Sequence, residues 1–303
     1  MKAVIVENIT KTYGKDKKTA VDNVSFSVAT GELFGLIGPD GAGKTSIFRM
    51  LTTLLLPDQG NASVMALDIV KDYREIRQLV GYMPGKFSLY QDLTIAENLN
   101  FFATLFNTTL QENYDLIKDI YIQIAPFKDR KAGKLSGGMK QKLALCCALI
   151  HKPAILFLDE PTTGVDPVSR KEFWEMLKKL KTQGITIIVS TPYMDEANLC
   201  DRIALIQNGK ILTIDTPLNI TAAYPEKLYA VKAANMYALL QLLEKYPDRI
   251  NSYAFGEFAH IALKPADDAV SQLQHYLEES GIKAVTIHKT EATIEDSFIQ
   301  LLH

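Results

Sequence analysis

Three short stretches of this chain carry residue types and spacings that could do chemistry. Gly38-Pro39-Asp40-Gly41-Ala42-Gly43-Lys44-Thr45 fits the pattern G-x-x-x-x-G-K-[ST] at every defined position. It follows the apolar run Leu33 to Ile37 and is expected to open a helix, the context in which this pattern makes a phosphate-binding loop. The glycines let backbone N–H groups approach phosphate oxygens, Lys44 adds a positive charge, and the Thr45 hydroxyl can ligate Mg²⁺. Ile155-Leu156-Phe157-Leu158-Asp159-Glu160 is an apolar strand pattern ending in two carboxylates. Alone, an acidic strand end is commonly no more than a cap for the next helix. Beside a phosphate loop, Asp159 can hold Mg²⁺ through water and Glu160 can orient or deprotonate an attacking water. Leu135-Ser136-Gly137-Gly138-Met139 precedes a helix expected to begin at about Met139. Serine and glycines at a helix start are ordinary capping residues, and the same helix end is ready to take phosphate.

The elements that must position these residues can be read from hydropathy patterning. Residues 1–37 read as short strands, and residues 73–152 are mostly helical in pattern. Thr94 with Glu97 predicts a capping box opening the helix IAENLNFFATLF, and Pro153 halts the helix of residues 139–151. Asp166-Pro167 reads as N-cap and first residue of a helix that buries Phe173, Met176, Leu177 and Leu180 and ends at Gly184. TIIVST is the next buried strand, and Asn208-Gly209 predicts a hairpin turn. This alternation suggests a mainly parallel sheet covered by helices. After Thr216-Pro217 the pattern changes to strand, helix (236–246), two strands (250–254 and 258–263), helix (267–280) and strand (283–289), closed by the short helix IEDSFIQLL. That βαββαβ order suggests a small ferredoxin-like α+β appendage.

Composition bounds the rest. The 303 residues suffice for one large or two modest domains, with an ordinary 47% hydrophobic and 22% charged content. A net charge of −2 gives no basic field, so no nucleic-acid partner is expected. Cys146, Cys147 and Cys200 are an odd, irregularly spaced set, read as reduced thiols in a cytosolic setting. The opening MKAVIVENITKTYG breaks its apolar stretch at Glu7 and is not read as a signal peptide. No apolar run approaches the ~18 residues that span a bilayer, so any membrane work requires another spanning polypeptide.

Taken in order, the phosphate loop, LSGGM, LFLDEP and the following TTGVDP resemble the nucleotide-binding subunit of an ABC transporter, over about residues 1–220. The resemblance implies an α/β fold: a P-loop NTPase, ABC-type ATPase domain with a helical subdomain at about residues 86–150. Residues 221–303 would form the α+β accessory domain. It implies ATP and Mg²⁺ as cofactors. Gly38 to Thr45 with Ser46 would bind the phosphates, Thr45 and Asp159 the metal, and Glu160 would be catalytic. In the family two subunits form a head-to-tail sandwich, so Ser136, Gly137 and Gly138 would contact the partner's ATP. Tyr13, in KTYG, matches the aromatic that stacks on adenine, and Asp166 lies in the segment resembling the D-loop. The implied partners are a second ABC ATPase subunit and integral membrane permease subunits, the latter touching the segment after VGYM. The implied location is cytoplasmic, peripheral on the inner face of the membrane. ATIEDSFIQLL, and YMDEA before CDRIALIQNGK, resemble ATP subunits of drug- and lipid-type exporters.

Two positions depart from the family pattern. Pro192 stands where most relatives have a histidine that hydrogen-bonds the γ-phosphate, and proline has no group that could do so. Gly85 stands where a glutamine usually senses Mg²⁺ and the attacking water. Met139 for glutamine in the signature is a milder change. Either this chain turns over slowly and completes an active site on a better-equipped partner, or another residue, such as Tyr193 or Lys86, compensates. An ABC ATPase acting on DNA or ribosomes lacks support, because the coiled-coil inserts or basic linkers of that class are missing; a purely regulatory ATP-binding module is the other alternative.

Overall fold

The structure, a computed structural model, describes every residue except 87, 267, 283 and 303. The chain divides into two compact units, Met1–Pro217 and Leu218–His303. The break thus falls slightly earlier than the expected 220/221.

The first unit contains two sheets. β1 (Lys2–Tyr13), β2 (Lys18–Ala29), β4 (Gln59–Val64) and β5 (Leu67–Asp68) form an antiparallel sheet in the order β2-β1-β4-β5. The second sheet has the order β10-β9-β3-β8-β7-β6. Its parallel members are β3 (Leu33–Ile37), β6 (Val80–Met83), β7 (Ile155–Asp159), β8 (Thr186–Thr191) and β9 (Arg202–Gln207). Only β10 (Lys210–Asp215) runs antiparallel. The centre of this sheet is buried on both faces, which is why β3, β7 and β8 read as continuous apolar runs. Between the sheets lies one core that includes Phe26 stacked on Phe34, and Phe48 edge-on to Phe157.

Helices α1 (Lys44–Leu51), α2 (Tyr73–Leu79), α3 (Ile95–Leu105), α4 (Tyr114–Ile124), α5 (Gly137–Leu149) and α6 (Pro167–Thr182) complete the unit. Thr94 and Glu97 form the expected capping box on α3. In α6 the N-cap Asp166, the Pro167 start and the buried Phe173, Met176, Leu177 and Leu180 are as expected, and Trp174 is buried with them. One boundary differs. α5 begins at Gly137, not Met139, because Ser136 has extended backbone and its hydroxyl accepts from the Met139 N–H at 3.4 Å. The Asn208-Gly209 turn has both residues at positive φ, 49° and 77°, as a tight hairpin turn demands.

The second unit contains α7 (Pro217–Ala222), β11 (Lys227–Lys232), α8 (Met236–Lys245), β12 (Arg249–Phe255), β13 (Phe258–Leu263), α9 (Ala269–Glu279), β14 (Thr286–Thr290) and α10 (Ile294–Gln300). Its sheet is antiparallel in the order β12-β13-β11-β14, the ferredoxin-like order. The expected helix 267–280 and strand 283–289 begin at residues outside those described; the elements start at Ala269 and Thr286. Tyr229, Val231, Ala259, Ile261 and Leu263 pack in a core with Leu239 and Leu243 of α8 and Leu273 and Leu277 of α9. The alternate residues Leu228, Ala230, His260 and Ala262 are buried on the opposite face.

Candidate nucleotide site

The stretch Gly38 to Thr45 forms a loop at the C-terminal end of β3 and leads directly into α1, where open α/β sheets bind ligands. Two of its three glycines, Gly38 and Gly43, are required by space. A methyl group at Gly38 would lie 2.1 Å from the Ile206 carbonyl oxygen, and one at Gly43, whose φ is 103°, would lie 2.3 Å from that of Ala20. The loop is held from behind. The Gly38 N–H donates to Thr191 O, and the Gly209 N–H of the β9–β10 hairpin donates to Ala42 O at 3.0 Å. No side chain caps α1, because Gly43 is its N-cap. Its first N–H groups are thus without side-chain acceptors, an arrangement suited to an anion.

Lys44 is 3% exposed. Its ammonium donates to the carbonyls of Gly38 (2.7 Å) and Pro39 (3.0 Å) and pairs with Glu160 Oε1 at 3.2 Å. A buried lysine needs such anionic partners. Glu160 is held in turn. Its φ is 50°, unusual for a residue with a side chain, and its N–H donates to both Ser190 O (3.0 Å) and Ser190 Oγ (3.1 Å). The same Ser190 hydroxyl donates to Asp159 Oδ1 at 2.6 Å, and Asp159 is 2% exposed. Burial and the Asp159 charge push the Tyr82 hydroxyl up to about 12, against the opposing effect of Arg49. Loop and carboxylate meet at a cavity of about 300 Å³ lined by Tyr13, Lys18, Thr19, Gly41 to Ser46 and Glu160. Tyr13 is 41% exposed, with its hydroxyl 3.1 Å from Ser46 Oγ. Asp40 is exposed at the loop's tip.

Other expected residues stand apart. Ser136 and Gly137 are exposed and Gly138 half-buried; none of them lines this cavity. Gly138 packs against Ser169, whose Oγ would lie 2.7 Å from an added methyl. Gly85 adjoins Asp159: a methyl there would lie 3.1 Å from its carbonyl oxygen and 3.8 Å from Oδ2. Tyr193, after Pro192, has its ring beneath Arg170, 4.1 Å from the guanidinium carbon, and its N–H donates to Thr191 Oγ1.

A second layer escaped the sequence. Glu196 is 1% exposed; its carboxylate accepts from Thr162 Oγ1 (2.7 Å) and Thr191 Oγ1 (2.5 Å), with Arg170 Nε 3.7 Å away. It thereby ties the segment after Glu160 to the end of β8 and to α6. The one available signal was Ser190-Thr191, polar residues closing an otherwise apolar strand.

A glycine-rich loop between a parallel strand and a helix, with a lysine facing the acidic end of another strand, defines a P-loop nucleotide-binding protein. Comparison with known proteins narrows this. Residues 21–163 match the ABC transporter family model. The chain is 38% identical over 305 residues to the probable multidrug ABC transporter ATP-binding protein YbhF of Escherichia coli, covering 99% of this chain and 52% of that protein. It thus spans about half the length of that relative. A Nod factor export ATP-binding protein of Mesorhizobium japonicum is 34% identical, with coverage of 99% and 86%. A dimeric ATP-binding cassette in a post-hydrolysis state with ADP and Pi superposes with a TM-score of 0.64 at 26% identity, covering 70% of this chain and 98% of that one. The chain belongs to the ABC transporter ATP-binding family.

Proposed function

We propose that this chain binds and hydrolyses ATP to power an exporter whose membrane subunits are separate polypeptides. The observation that carries the reading is the cavity in which Gly41 to Ser46 meet Glu160. The residues fit a nucleoside triphosphate: a buried ammonium, two glycines (Gly38 and Gly43) without room for a side chain, and an uncapped helix start. Gly38, Pro39, Asp40, Gly41, Ala42, Gly43, Lys44, Thr45 and Ser46 take the phosphates, and exposed Tyr13 takes the adenine. Thr45 and Asp159 would hold Mg²⁺, which when bound neutralises charge on the phosphate oxygens. Glu160 orients and deprotonates the attacking water, and Ser190 keeps both carboxylates in place. Lys44 would exchange its carbonyl and Glu160 contacts for phosphate oxygens, releasing Glu160 to act as base.

Exposed Ser136 and Gly137, with Gly138, are free to meet the ATP of a second ABC ATPase subunit. An apolar cavity of about 510 Å³, lined in part by Met83, Pro84, Gly85, Leu105, Phe106 and Ala144, fits a helix from an integral membrane permease. Among the described residues no helix is long and apolar enough to cross a membrane. We assign the chain to the cytoplasmic side, peripheral on the inner face of the membrane. The exporter assignment draws on the multidrug and Nod factor relatives, with no nucleic-acid role.

The test is Mg²⁺-dependent ATP hydrolysis by the purified chain beside Glu160→Gln. The expected result is that E160Q still binds ATP and loses turnover by about 10²-fold or more. A variant that hydrolyses like the wild type would sink the assignment of Glu160. Pro192 and Gly85 favour a second reading, in which this site turns over slowly and pairs with a more active ATPase. Under it the double substitution Gly85→Gln, Pro192→His raises hydrolysis; unchanged turnover counts against it.

A further inference from the structure

The C-terminal unit holds a cavity of about 480 Å³ that the nucleotide reading does not use. β12 supplies Arg249 to Tyr253 to its wall, α10 supplies Ile299, and Glu226 enters from just before β11. Two opposite charges line it without meeting. Among the described residues neither Glu226 nor Arg249 takes part in an ion pair within 4.0 Å. The one hydrogen bond described for the Arg249 guanidinium is a long one to Ser252 Oγ, 3.4 Å.

The acceptors beside it are also unmet. Among the described residues, Glu226 Oε2, Asn251 Oδ1 and the Tyr224 hydroxyl are buried without a hydrogen-bond partner. They form one group. Burial raises the Tyr224 pKa, the nearby Asn251 amide opposes this, and the Glu226 and Asp296 charges raise it further. A buried carboxylate oxygen and amide oxygen without donors are costly unless something supplies N–H groups.

The charges select the ligand. A free anion would meet Glu226. A hard metal cation would meet Arg249 and find one carboxylate where it prefers six or more oxygens. A molecule with both charges satisfies both walls. We propose that this cavity binds a small zwitterion of the α-amino acid class. Its ammonium donates to Glu226 Oε2 and Asn251 Oδ1, its carboxylate receives the Arg249 guanidinium, and its side chain lies against Ile250 and Ile299. Tyr253, which also lines the cavity, donates its hydroxyl to Asp296 of α10, so the ligand braces that helix from two sides.

The experiment uses the full chain. Thermal unfolding is followed with the proteinogenic amino acids at millimolar concentration, and any that act are titrated calorimetrically. An acting amino acid is compared with its decarboxylated and deaminated analogues, as L-leucine with isoamylamine, which lacks the carboxylate, and isocaproate, which lacks the amine. We expect at least one amino acid to raise the unfolding temperature saturably, both truncated analogues to fail, and Glu226→Gln and Arg249→Gln each to weaken binding about tenfold or more. Without ligand, E226Q should unfold no lower than the wild type, because it removes a half-buried carboxylate whose Oε2 has no donor among the described residues. The proposal is overturned if no amino acid acts, if the decarboxylated analogue of an acting amino acid binds as well as that amino acid, or if E226Q binds like the wild type. It is also overturned if E226Q alone unfolds at clearly lower temperature, which would make Glu226 a structural group.

Discussion

Glu196 contributes no atom to the nucleotide cavity, yet three groups depend on it. Replacing it with alanine strips the acceptor from the Thr162 and Thr191 hydroxyls and one of two nearby carboxylates from Arg170, which keeps Asp195 at 3.4 Å. Leaving such groups unsatisfied should cost on the order of 2–4 kcal/mol, read as a lowered unfolding temperature of residues 1–217. Glu196→Gln, which keeps one acceptor oxygen and turns an NH2 donor toward the other hydroxyl, should lose less. If E196A unfolds like the wild type, the network has no structural weight. The contrast with Lys44 shows what was legible in the sequence. Lys44, Asp159 and Glu160 announce themselves because residue type and local spacing define their chemistry. Ser190 and Glu196 act through partners brought from distant segments, Asp159 in one case and Thr162 and Arg170 in the other. No spacing rule links them.

At the scale of elements, the hairpin turn between β9 and β10 is part of the nucleotide site without touching the cavity. Gly209 donates its N–H to Ala42 O and sits against Ala20, whose carbonyl oxygen also crowds Gly43. Gly209→Ala places a methyl 2.8 Å from Ala20 O at a φ of 77°. The expected result is a loss of about 1–3 kcal/mol together with weaker ATP binding, measured by titration with a fluorescent ATP analogue. Intact binding would mean that the phosphate loop keeps its shape without this support. The turn itself was readable from Asn208-Gly209, as were the α3 capping box and the α6 start, since each signal is local. The α5 start was misplaced because Ser136-Gly137-Gly138 can be read as loop or as helix. The Ser136 cap, seen only in three dimensions, decides between them.

For the whole molecule, the two units have separate cores, one centred on the two sheets of residues 1–217 and one between the C-terminal sheet and α8 and α9. Their stabilities therefore need not respond together. Asp296 gives the C-terminal unit its own acid sensitivity. It is fully buried, which by itself raises a carboxyl pKa. Hydrogen bonds from His260, the Thr293 side chain, Tyr253 and the Thr293 N–H outweigh that burial and hold the pKa below the ordinary 3.8. The same contact, after burial, raises the Tyr253 hydroxyl far above its usual value. A group depressed in the folded state adds stability above its unfolded pKa and loses it as pH falls through the folded one. The unfolding transition of residues 218–303 should therefore lie higher in the wild type than in Asp296→Asn near neutral pH. The gap should narrow only once pH falls below about 3.8, as Asp296 itself takes up a proton. Calorimetry of both proteins across this range reads the gap directly. A gap that stays constant to the lowest pH would show that Asp296 stabilises α10 through its shape and capping bonds, with its charge contributing nothing.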